Sequence, residues 1–228
     1  MDRIVNARYL GLVPYGDALK LQQRLVQKRA EGAIPDTLIL LQHPPVLTIG
    51  RFRGIDDILA SPATLTQEGI AVFRTNRGGG VTYHGPGQLV GYPILNLKEL
   101  NLGVREYVHE LEEVIISLLV EFGVNGVRNH GYPGVWVEGE KICSIGIHVS
   151  RGITMHGFAL NVDTDLHHFN YINPCGMTGN RMTSLAKVLS RPVAVEEVVK
   201  PLLACFAEVF CVSSILEEDA AATVPALR

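Results

Sequence analysis

A glycine-rich stretch, RGGGVTYHGPGQLVGYPI, runs from Arg77 to Ile94 and sets an arginine and a histidine among closely spaced glycines. Glycine permits positive φ and close backbone approach, which leaves N–H groups free to bind a carbonyl or an anion. The stretch is not a P-loop, because no Gly-Lys-Ser/Thr follows, and it is not a dinucleotide-binding fingerprint, because a strand comes next. Arg77 and His84 favour a ligand site over a glycine-rich turn that only brings strands together.

A lysine begins the apolar stretch KICSIGIHV. If this stretch is a strand with period two, Lys141 shares a face with Cys143 and Ile145, while Ser144 and Gly146 point the other way. Partial desolvation beside apolar side chains lowers the pKa of a lysine and makes it a base. The alternative is a lysine at a strand end that reaches water.

A candidate nucleophile, Cys175, lies in the loop sequence NPCGM. The other cysteines, Cys143, Cys205 and Cys211, fall in predicted regular elements, where packing explains them. Loops on a rigid scaffold tend to carry chemistry, and a thiol needs a nearby cation or base to ionise at neutral pH. From the residues alone Cys143 stays a rival nucleophile, because strand alternation places it beside Lys141.

A metal site is the third chemistry that the residue types allow, with candidate ligands His148, His156, His167, His168 and Cys175. Their spacing matches no structural zinc pattern, and the chain has no H-E-x-x-H motif. The sequence therefore predicts no metal.

Hydrophobic periodicity indicates the elements that position these residues. It predicts helices over 15–32 and 104–122, and a last helical region over 195–210 that Pro201 should kink or divide. GVWVE and KICSIGIHV read as a hairpin around a Gly139-Glu140 turn, with ITMHGFALNV as the next strand. Many strands and about four helices that do not strictly alternate predict an α+β fold around a mixed β-sheet.

Length and composition bound the class of protein. The 228 residues, 47% hydrophobic and 19% charged, predict one globular catalytic domain over 1–215 and a loosely ordered C-terminal tail over 216–228. A net charge of −3 argues against a general nucleic-acid or membrane-surface binder. No apolar stretch is long enough to span a bilayer, and charged residues near the N-terminus exclude a signal peptide, so we expect a cytoplasmic protein with free thiols.

Three blocks of the sequence resemble the lipoyl(octanoyl) transferase family: RGGGVTYHGPGQLVGYPILNL, then GVWVEGEKICSIGIHVSRGITMHGFALNVDTDL, then INPCGM followed by TSLAKV. The resemblance extends over nearly the whole chain. It implies the fold shared by biotin and lipoate protein ligases, in which helices flank a mixed sheet. It also implies that an octanoyl group leaves the thioester of acyl carrier protein, is held on a cysteine, and passes to a specific lysine of a lipoyl domain.

The resemblance assigns the acyl-enzyme cysteine to Cys175, in preference to Cys143, and its partner to Lys141. The substrate-contacting segments that it implies are Arg77, Gly78, Gly79, Gly80, Val81, Thr82, Tyr83, His84, Ser144, Ile145, Gly146, Gly157, Phe158 and Ala159. It implies no cofactor. The implied donor is octanoyl-acyl carrier protein, and the implied acceptors are lipoyl domains of 2-oxoacid dehydrogenase complexes and the glycine cleavage H protein.

Two other functions share sequence features with an octanoyltransferase. An ATP-dependent lipoate or biotin ligase would have the same fold and lysine but would need no cysteine nucleophile, so the NPCGM loop favours the transferase. A non-enzymatic lipid-binding module would keep a pocket without needing Cys175 or Lys141. Acyl carrier proteins are acidic, so a docking patch is predicted among exposed arginines, with scattered solvated arginines as the alternative. The candidates are Arg51, Arg53, Arg74, Arg128 and Arg151.

Overall fold

The computed structural model describes residues 3–52, 54–173 and 182–217. Over these residues the chain forms eleven β-strands and five α-helices. The strands are β1 (Ile4–Leu12), β2 (Asp36–Gln42), β3 (Val46–Ile49), β4 (Ala71–Arg74), β5 (Val81–His84), β6 (Gln88–Ile94), β7 (Val127–Asn129), β8 (Tyr132–Val137), β9 (Glu140–Ser150), β10 (Ile153–Asn161) and β11 (Ser214–Glu217). The helices are α1 (Tyr15–Ala30), α2 (Pro62–Gln67), α3 (Val104–Glu121), α4 (Leu185–Leu189) and α5 (Val195–Val209).

Eight strands form one mixed sheet in the order β11-β1-β2-β6-β10-β9-β8-β7. The pairs of β1 with β11 and with β2 are parallel, and the remaining pairs are antiparallel. A second sheet of three strands, β4-β3-β5, lies beside it. The predicted α+β fold around a mixed sheet is confirmed. The last strand extends past the predicted domain boundary at residue 215, since Leu216 pairs with Asn6; the boundary itself stays a prediction.

The two faces of the large sheet are covered by different helices. Helices α3 and α5 cover one face, where their apolar stripes form the main core with β8, β9 and β10; fully buried examples are Leu111, Ile115, Leu202 and Phe206. Helix α1 covers the other face, where Ala18 packs with Ile39 and Val90. An apolar stripe of period 3.6 is what such a helix needs to bury one side against a sheet.

The hairpin between β8 and β9 turns one residue earlier than predicted. Its two loop residues are Glu138, with φ 50°, and Gly139, with φ 82°. Two consecutive positive φ values match the type I′ turn, whose twist suits the flanking strands. The predicted Gly139-Glu140 turn is wrong because Glu138 accepts a left-handed conformation that glycine usually supplies.

Helix α5 runs through Pro201 as one helix. Of the two predicted effects of this proline, the division is therefore wrong, and the kink stays a prediction. The apolar side chains on both sides of Pro201, including Val198, Leu202 and Phe206, are buried in the same core. This packing outweighs the backbone hydrogen bond that proline removes. Among the residues that the structure describes, the membrane-span criteria of length and apolarity are met by no helix.

Candidate active site

Lys141 faces the opposite side of the large sheet from Cys143. On β8, Val135 pairs with Cys143 and the next residue, Trp136, pairs with Lys141, so Ile142 is the extra residue of a β-bulge. Ile142 and Cys143 both pack in the core under α3 and α5, whereas Lys141 lines a cavity on the α1 side. The prediction that Lys141 and Cys143 share a face is wrong, because an inserted residue reverses the side chains beyond it.

The ammonium of Lys141 is held against the hairpin. Its Nζ donates a hydrogen bond to the carbonyl oxygen of Pro133 at 3.0 Å and lies 4.7 Å from the centroid of the Trp136 ring. A cation over an indole face is attracted by the negative face of the ring. The side chain is buried yet borders the cavity, so the predicted lysine reaching bulk water at a strand end is not what the structure shows.

Gly134 makes room for this lysine. Its φ is +138°, and a Cβ atom there would overlap the Cys143 carbonyl and lie 2.6 Å from Cε of Lys141. Its N–H donates to Oε1 of Glu112, on α3, at 2.9 Å. The second carboxylate oxygen of Glu112 accepts from Nε of Arg128 at 3.2 Å. Arg128, one of the predicted docking arginines, therefore supports the strand next to Lys141.

The glycine-rich stretch begins with an arginine that ties it to β3. Nη2 of Arg77 donates to the carbonyl and the hydroxyl oxygens of Thr48, at 2.6 and 2.8 Å. Nη1 donates to the carbonyl of Gly78 at 3.0 Å. The guanidinium is buried. Its hydrogen bonds to Thr48 and Gly78 position the loop, and Arg77 also lines the cavity.

The loop then lies directly on β9. The N–H of Gly78 donates to the carbonyl of Ile147 at 2.8 Å. A Cβ at Gly146 would lie 3.0 Å from the Gly78 carbonyl oxygen and 3.3 Å from Cδ of Arg77. Glycine at 146 therefore allows the two backbones to touch, and residues of both segments line the cavity.

A chain of buried hydrogen bonds connects His84 to the backbone of Lys141. Nδ1 of His84 bonds Oε1 of Gln88 at 2.8 Å, and Nε2 of Gln88 donates to Oδ1 of Asn161 at 2.9 Å. Nδ2 of Asn161 donates to the Thr183 carbonyl, and the Thr183 N–H donates to the Lys141 carbonyl, both at 3.0 Å. The backbone carbonyl at the far end orients both amides, so His84 carries its proton on Nδ1.

The pKa of His84 is held well below its usual range. Burial is the main cause, and the nearby His43 and the positive charge of Arg77 add to it. The ring is therefore neutral. Its unprotonated Nε2 accepts a hydrogen bond from the Thr48 hydroxyl, with 3.4 Å between Nε2 and Oγ1. Sequence reasoning identified His84 but missed Gln88 and Asn161. Their signal is weak, because an isolated polar residue in an apolar strand shows its partner only once the strands are paired.

The cavity has a volume of about 370 Å³. It is bordered by the glycine-rich stretch, β6, β9 and β10, and its lining residues also include Tyr15 of α1 and Val108 of α3. The predicted residues that line it, besides Lys141, are Arg77, Gly78, Gly79, Val81, Thr82, His84, Ser144, Ile145, Gly146, Gly157, Phe158 and Ala159. Gly80 and Tyr83 do not line it. The Tyr83 ring instead stacks on His168, with centroids 4.8 Å apart, in the second core cluster.

Cys175 lies outside the described residues, as does Arg53. The chain on either side of residues 174–181 is placed: Ile172 forms a β-bridge with Ile58, and Met182 forms one with Lys141 and lines the cavity. Cys143 is fully buried, and burial raises the pKa of its thiol to about 12. Its sulfur is therefore protonated at neutral pH, and Cys143 is unsuited to be the nucleophile.

Metal ligation finds no support in the described part of the chain, where no group of three or more His, Cys, Asp or Glu side chains converges. His156 lines the cavity, whereas His168 packs on Tyr83. Sequence reasoning treated both only as possible ligands. It missed Tyr15 and Tyr92, which also line the cavity, because their predicted roles in a helix stripe and a strand explained them already.

The sequence of the chain is similar to those of known proteins. The sequence profile of the lipoyl protein ligase A/B catalytic domain matches residues 14–207. The chain is 48% identical over 207 residues to an octanoyltransferase of Alkaliphilus metalliredigens, which covers 90% of this chain and 95% of that protein. It is 50% identical over 208 residues to an octanoyltransferase of Caldicellulosiruptor saccharolyticus, covering 90% and 88%.

A solved structure shares the fold at low sequence identity. It is a bi-partite lipoate protein ligase described with its E2 lipoyl domain, from Thermoplasma acidophilum, with a TM-score of 0.71 and 17% identity over 96% of this chain and 86% of that chain. The predicted lipoate protein ligase-like fold is confirmed. The chain belongs to the family of the lipoyl protein ligase A/B catalytic domain and, within it, to the octanoyltransferases.

Proposed function

We propose that this octanoyltransferase works through a thioester on Cys175, with Lys141 as its proton-transfer partner. The observation that supports this is the placement of Lys141: the bulge at Ile142 turns it away from the core and into the cavity, beside Met182. An ammonium at that place favours the thiolate of a nearby cysteine. Cys143, the rival thiol, is on the other face and protonated.

The proposed reaction has two acyl transfers. In the first, the Cys175 thiolate attacks the thioester carbonyl of octanoyl-acyl carrier protein; the new C–S bond forms, the old one breaks, and the carrier thiolate takes a proton from the Lys141 ammonium, which leaves Lys141 neutral. In the second, the amine of the acceptor lysine attacks the Cys175 thioester, loses a proton to neutral Lys141, and the cysteine leaves as thiolate. Thioester exchange is nearly neutral in energy and amide formation is downhill, so the scheme needs no ATP and no cofactor.

The cavity is the proposed acyl site. Its walls include Val81, Val90, Ile145, Phe158 and Ala159, which suit a hydrocarbon chain. Burial of such a chain stabilises the complex by about 0.8 kcal/mol per methylene. Backbone N–H groups of the glycine-rich stretch are the proposed donors to the oxyanion of each tetrahedral intermediate. The Gly78 N–H is already used by Ile147, so we expect another N–H of the stretch to serve.

The proposed partners are octanoyl-acyl carrier protein as donor, and lipoyl domains of 2-oxoacid dehydrogenase complexes and the glycine cleavage H protein as acceptors. The ligase from Thermoplasma acidophilum, which shares the fold, is described with an E2 lipoyl domain, and this supports an acceptor of that class. Of the predicted docking arginines, Arg51, Arg74 and Arg151 are exposed, whereas Arg128 pairs with Glu112 and Glu113. We propose a cytoplasmic location.

The test is the intact mass of the protein after mixing with octanoyl-acyl carrier protein in the absence of ATP. We expect one octanoyl adduct that hydroxylamine removes and that is absent in Cys175→Ser. Lys141→Ala should slow its formation at least a hundredfold, the range that general acid–base groups contribute. Cys211→Ser, at an exposed cysteine, is the matched control and should keep the adduct. Modification of a lipoyl domain only when octanoate and ATP are supplied would show a ligase instead.

A further inference from the structure

The cavity has two distinct ends along β9. Lys141 stands at one end, and the buried rings of His156 and Tyr92 line the other, beside the Gly157–Gly146 pair. At roughly 3.3 Å per residue, about 15 Å of strand separates the two ends. An extended octanoyl chain, with C–C bonds of about 1.5 Å, spans about 10 Å. A thioester near Lys141 therefore places the last carbons of the chain toward the end lined by His156 and Tyr92.

Length selection by such a cavity requires a wall. Each added methylene strengthens binding in an apolar slot about fourfold, so longer acyl chains would win wherever they fit. Only groups at the closed end that resist displacement can reverse this trend. The residues there decide which chain length is accepted.

His156 lies at that end. It pairs with Ile147 on β9, one position beyond the Gly157–Gly146 pair. Its ring is buried and lines the cavity, and Nε2 is bonded to Oδ1 of Asn76 at 2.7 Å. A chain that pushed the ring aside would break this hydrogen bond and the one between Nε2 and Oγ1 of Thr75 at 3.3 Å, both part-buried, which is costly.

The backbone of His156 is also unusual. Its φ is +60° in the interior of β10, and its N–H leaves the sheet to donate to Oε1 of Gln22, on α1, at 2.9 Å. A non-glycine residue at positive φ is strained and persists where the surroundings hold it, often at functional sites. Helix α1 thus holds the backbone of His156 while Asn76 holds its ring.

Tyr92 completes the wall beside it. The Tyr92 and His156 rings are 6.3 Å apart at their centroids, nearly perpendicular. The Tyr92 hydroxyl is bonded to Nε2 of His43 at 2.8 Å, and Nδ1 of His43 donates to the Val13 carbonyl at 2.7 Å. This wall therefore consists of rings whose polar atoms are hydrogen-bonded to the protein.

We infer that His156 is a specificity-determining residue that stops the acyl chain at eight carbons by closing the far end of the cavity. The inference rests on the proposed function only in that the thioester is placed at the Lys141 end. Longer chains are excluded because they would displace a ring fixed through Asn76 and Gln22.

The test is a competition between octanoyl- and decanoyl-acyl carrier protein in equal amounts, read as the ratio of the two adducts by intact mass. His156→Asn shortens the side chain, and asparagine tolerates positive φ. We expect it to shift the ratio at least tenfold toward decanoyl, the discrimination that a pocket achieves for one or two methylenes. Asn76→Ala keeps the ring and removes the shorter of its two hydrogen bonds, leaving the one with Oγ1 of Thr75 at 3.3 Å, so it should shift the ratio in the same direction by less.

His168→Asn is the matched control, because His168 stacks on Tyr83 outside the cavity, and it should leave the ratio as in the wild type. Dissociation constants of free octanoate and decanoate provide a second readout that needs no cysteine chemistry. An unchanged ratio of these constants in His156→Asn, with the variant folded, would overturn the inference. Absence of any adduct on the wild type, with the expected shift in these constants, would count against the proposed thioester and still support the inference.

Discussion

Lys141 reaches the cavity through residues that have no chemistry of their own. The extra residue Ile142 turns the lysine to the α1 face, Gly134 leaves space for its Cε atom, and Pro133 accepts the ammonium hydrogen bond. Glu112 in turn holds the Gly134 N–H. A catalytic side chain needs this kind of support because a displacement of about 1 Å costs about a hundredfold in rate.

Gly134→Ala should therefore abolish most of the octanoyl transfer. The new methyl group would overlap the Cys143 carbonyl and press on Cε of Lys141, so we expect transfer to fall at least tenfold. The measurement is the initial rate of octanoyl adduct formation. Gly139→Ala is the matched control: it has φ +82° but no atom within 4 Å of the added Cβ. Equal losses of rate in both variants would show that backbone strain, not contact with Lys141, is responsible.

The local hydrophobic pattern predicts the strands and helices around the site. It does not predict features that depend on how two elements pair with each other. The β8–β9 hairpin sets the face of Lys141, and its geometry depends on the turn at Glu138 and on the bulge at Ile142 together. A shift of one residue in either would exchange the core and cavity faces of β9. In helix α5, tertiary packing outweighs a local signal: its buried apolar stripe keeps the helix continuous through Pro201.

Pro201→Ala tests how much the proline costs the stability of α5. Proline in a helix interior has no N–H for the carbonyl of Glu197 and crowds that turn, so we expect alanine to raise the free energy of unfolding by about 1–3 kcal/mol. Urea unfolding followed by circular dichroism measures it. Lys200→Ala, at the exposed neighbouring residue, should change the free energy by less than about 0.5 kcal/mol. A destabilised Pro201→Ala would mean that the proline shapes the packing of α5 against the core.

The molecule as a whole buries three histidines between α1, the glycine-rich stretch and the sheet: His43, His84 and His156. Desolvation lowers the pKa of His43 to about 4 and that of His156 to about 3. The unfolded chain protonates these rings near pH 6.5, whereas the folded protein keeps them neutral to lower pH. The contribution of these histidines to the free energy of unfolding is therefore fully present above about pH 6.5. It declines as the pH falls toward the pKa values of the folded protein.

We expect the free energy of unfolding to fall by about 1.4 kcal/mol per pH unit for each such ring below about pH 6.5. Urea unfolding at pH 7.5, 6 and 5 measures the slope. His43→Gln removes one titrating ring, so its slope should be flatter than that of the wild type by about this amount. Parallel slopes for the two proteins would contradict the lowered pKa of His43.

Local pattern was enough to predict much of this protein. Helices α1 and α3 bury one stripe each, and β2 and β6 are short apolar runs between turn residues, so their identity follows from neighbours in the chain. The glycine-rich stretch, Lys141 and Cys175 were recognisable as chemistry because their residue types and motifs are local too. Of these, the structure brings the first two into one cavity and does not describe Cys175.

Other features depend on residues far apart in the chain. The bulge at Ile142 exists only in the pairing of β9 with β8, and β11 exists because it pairs with β1 from the opposite end of the chain. The amides of Gln88 and Asn161 meet only when β6 and β10 are adjacent. The amino-acid sequence by itself determined the elements and the reactive groups, because these depend on local spacing. The tertiary structure alone decided which face Lys141 takes and which residues line the cavity, because register and burial depend on every paired strand.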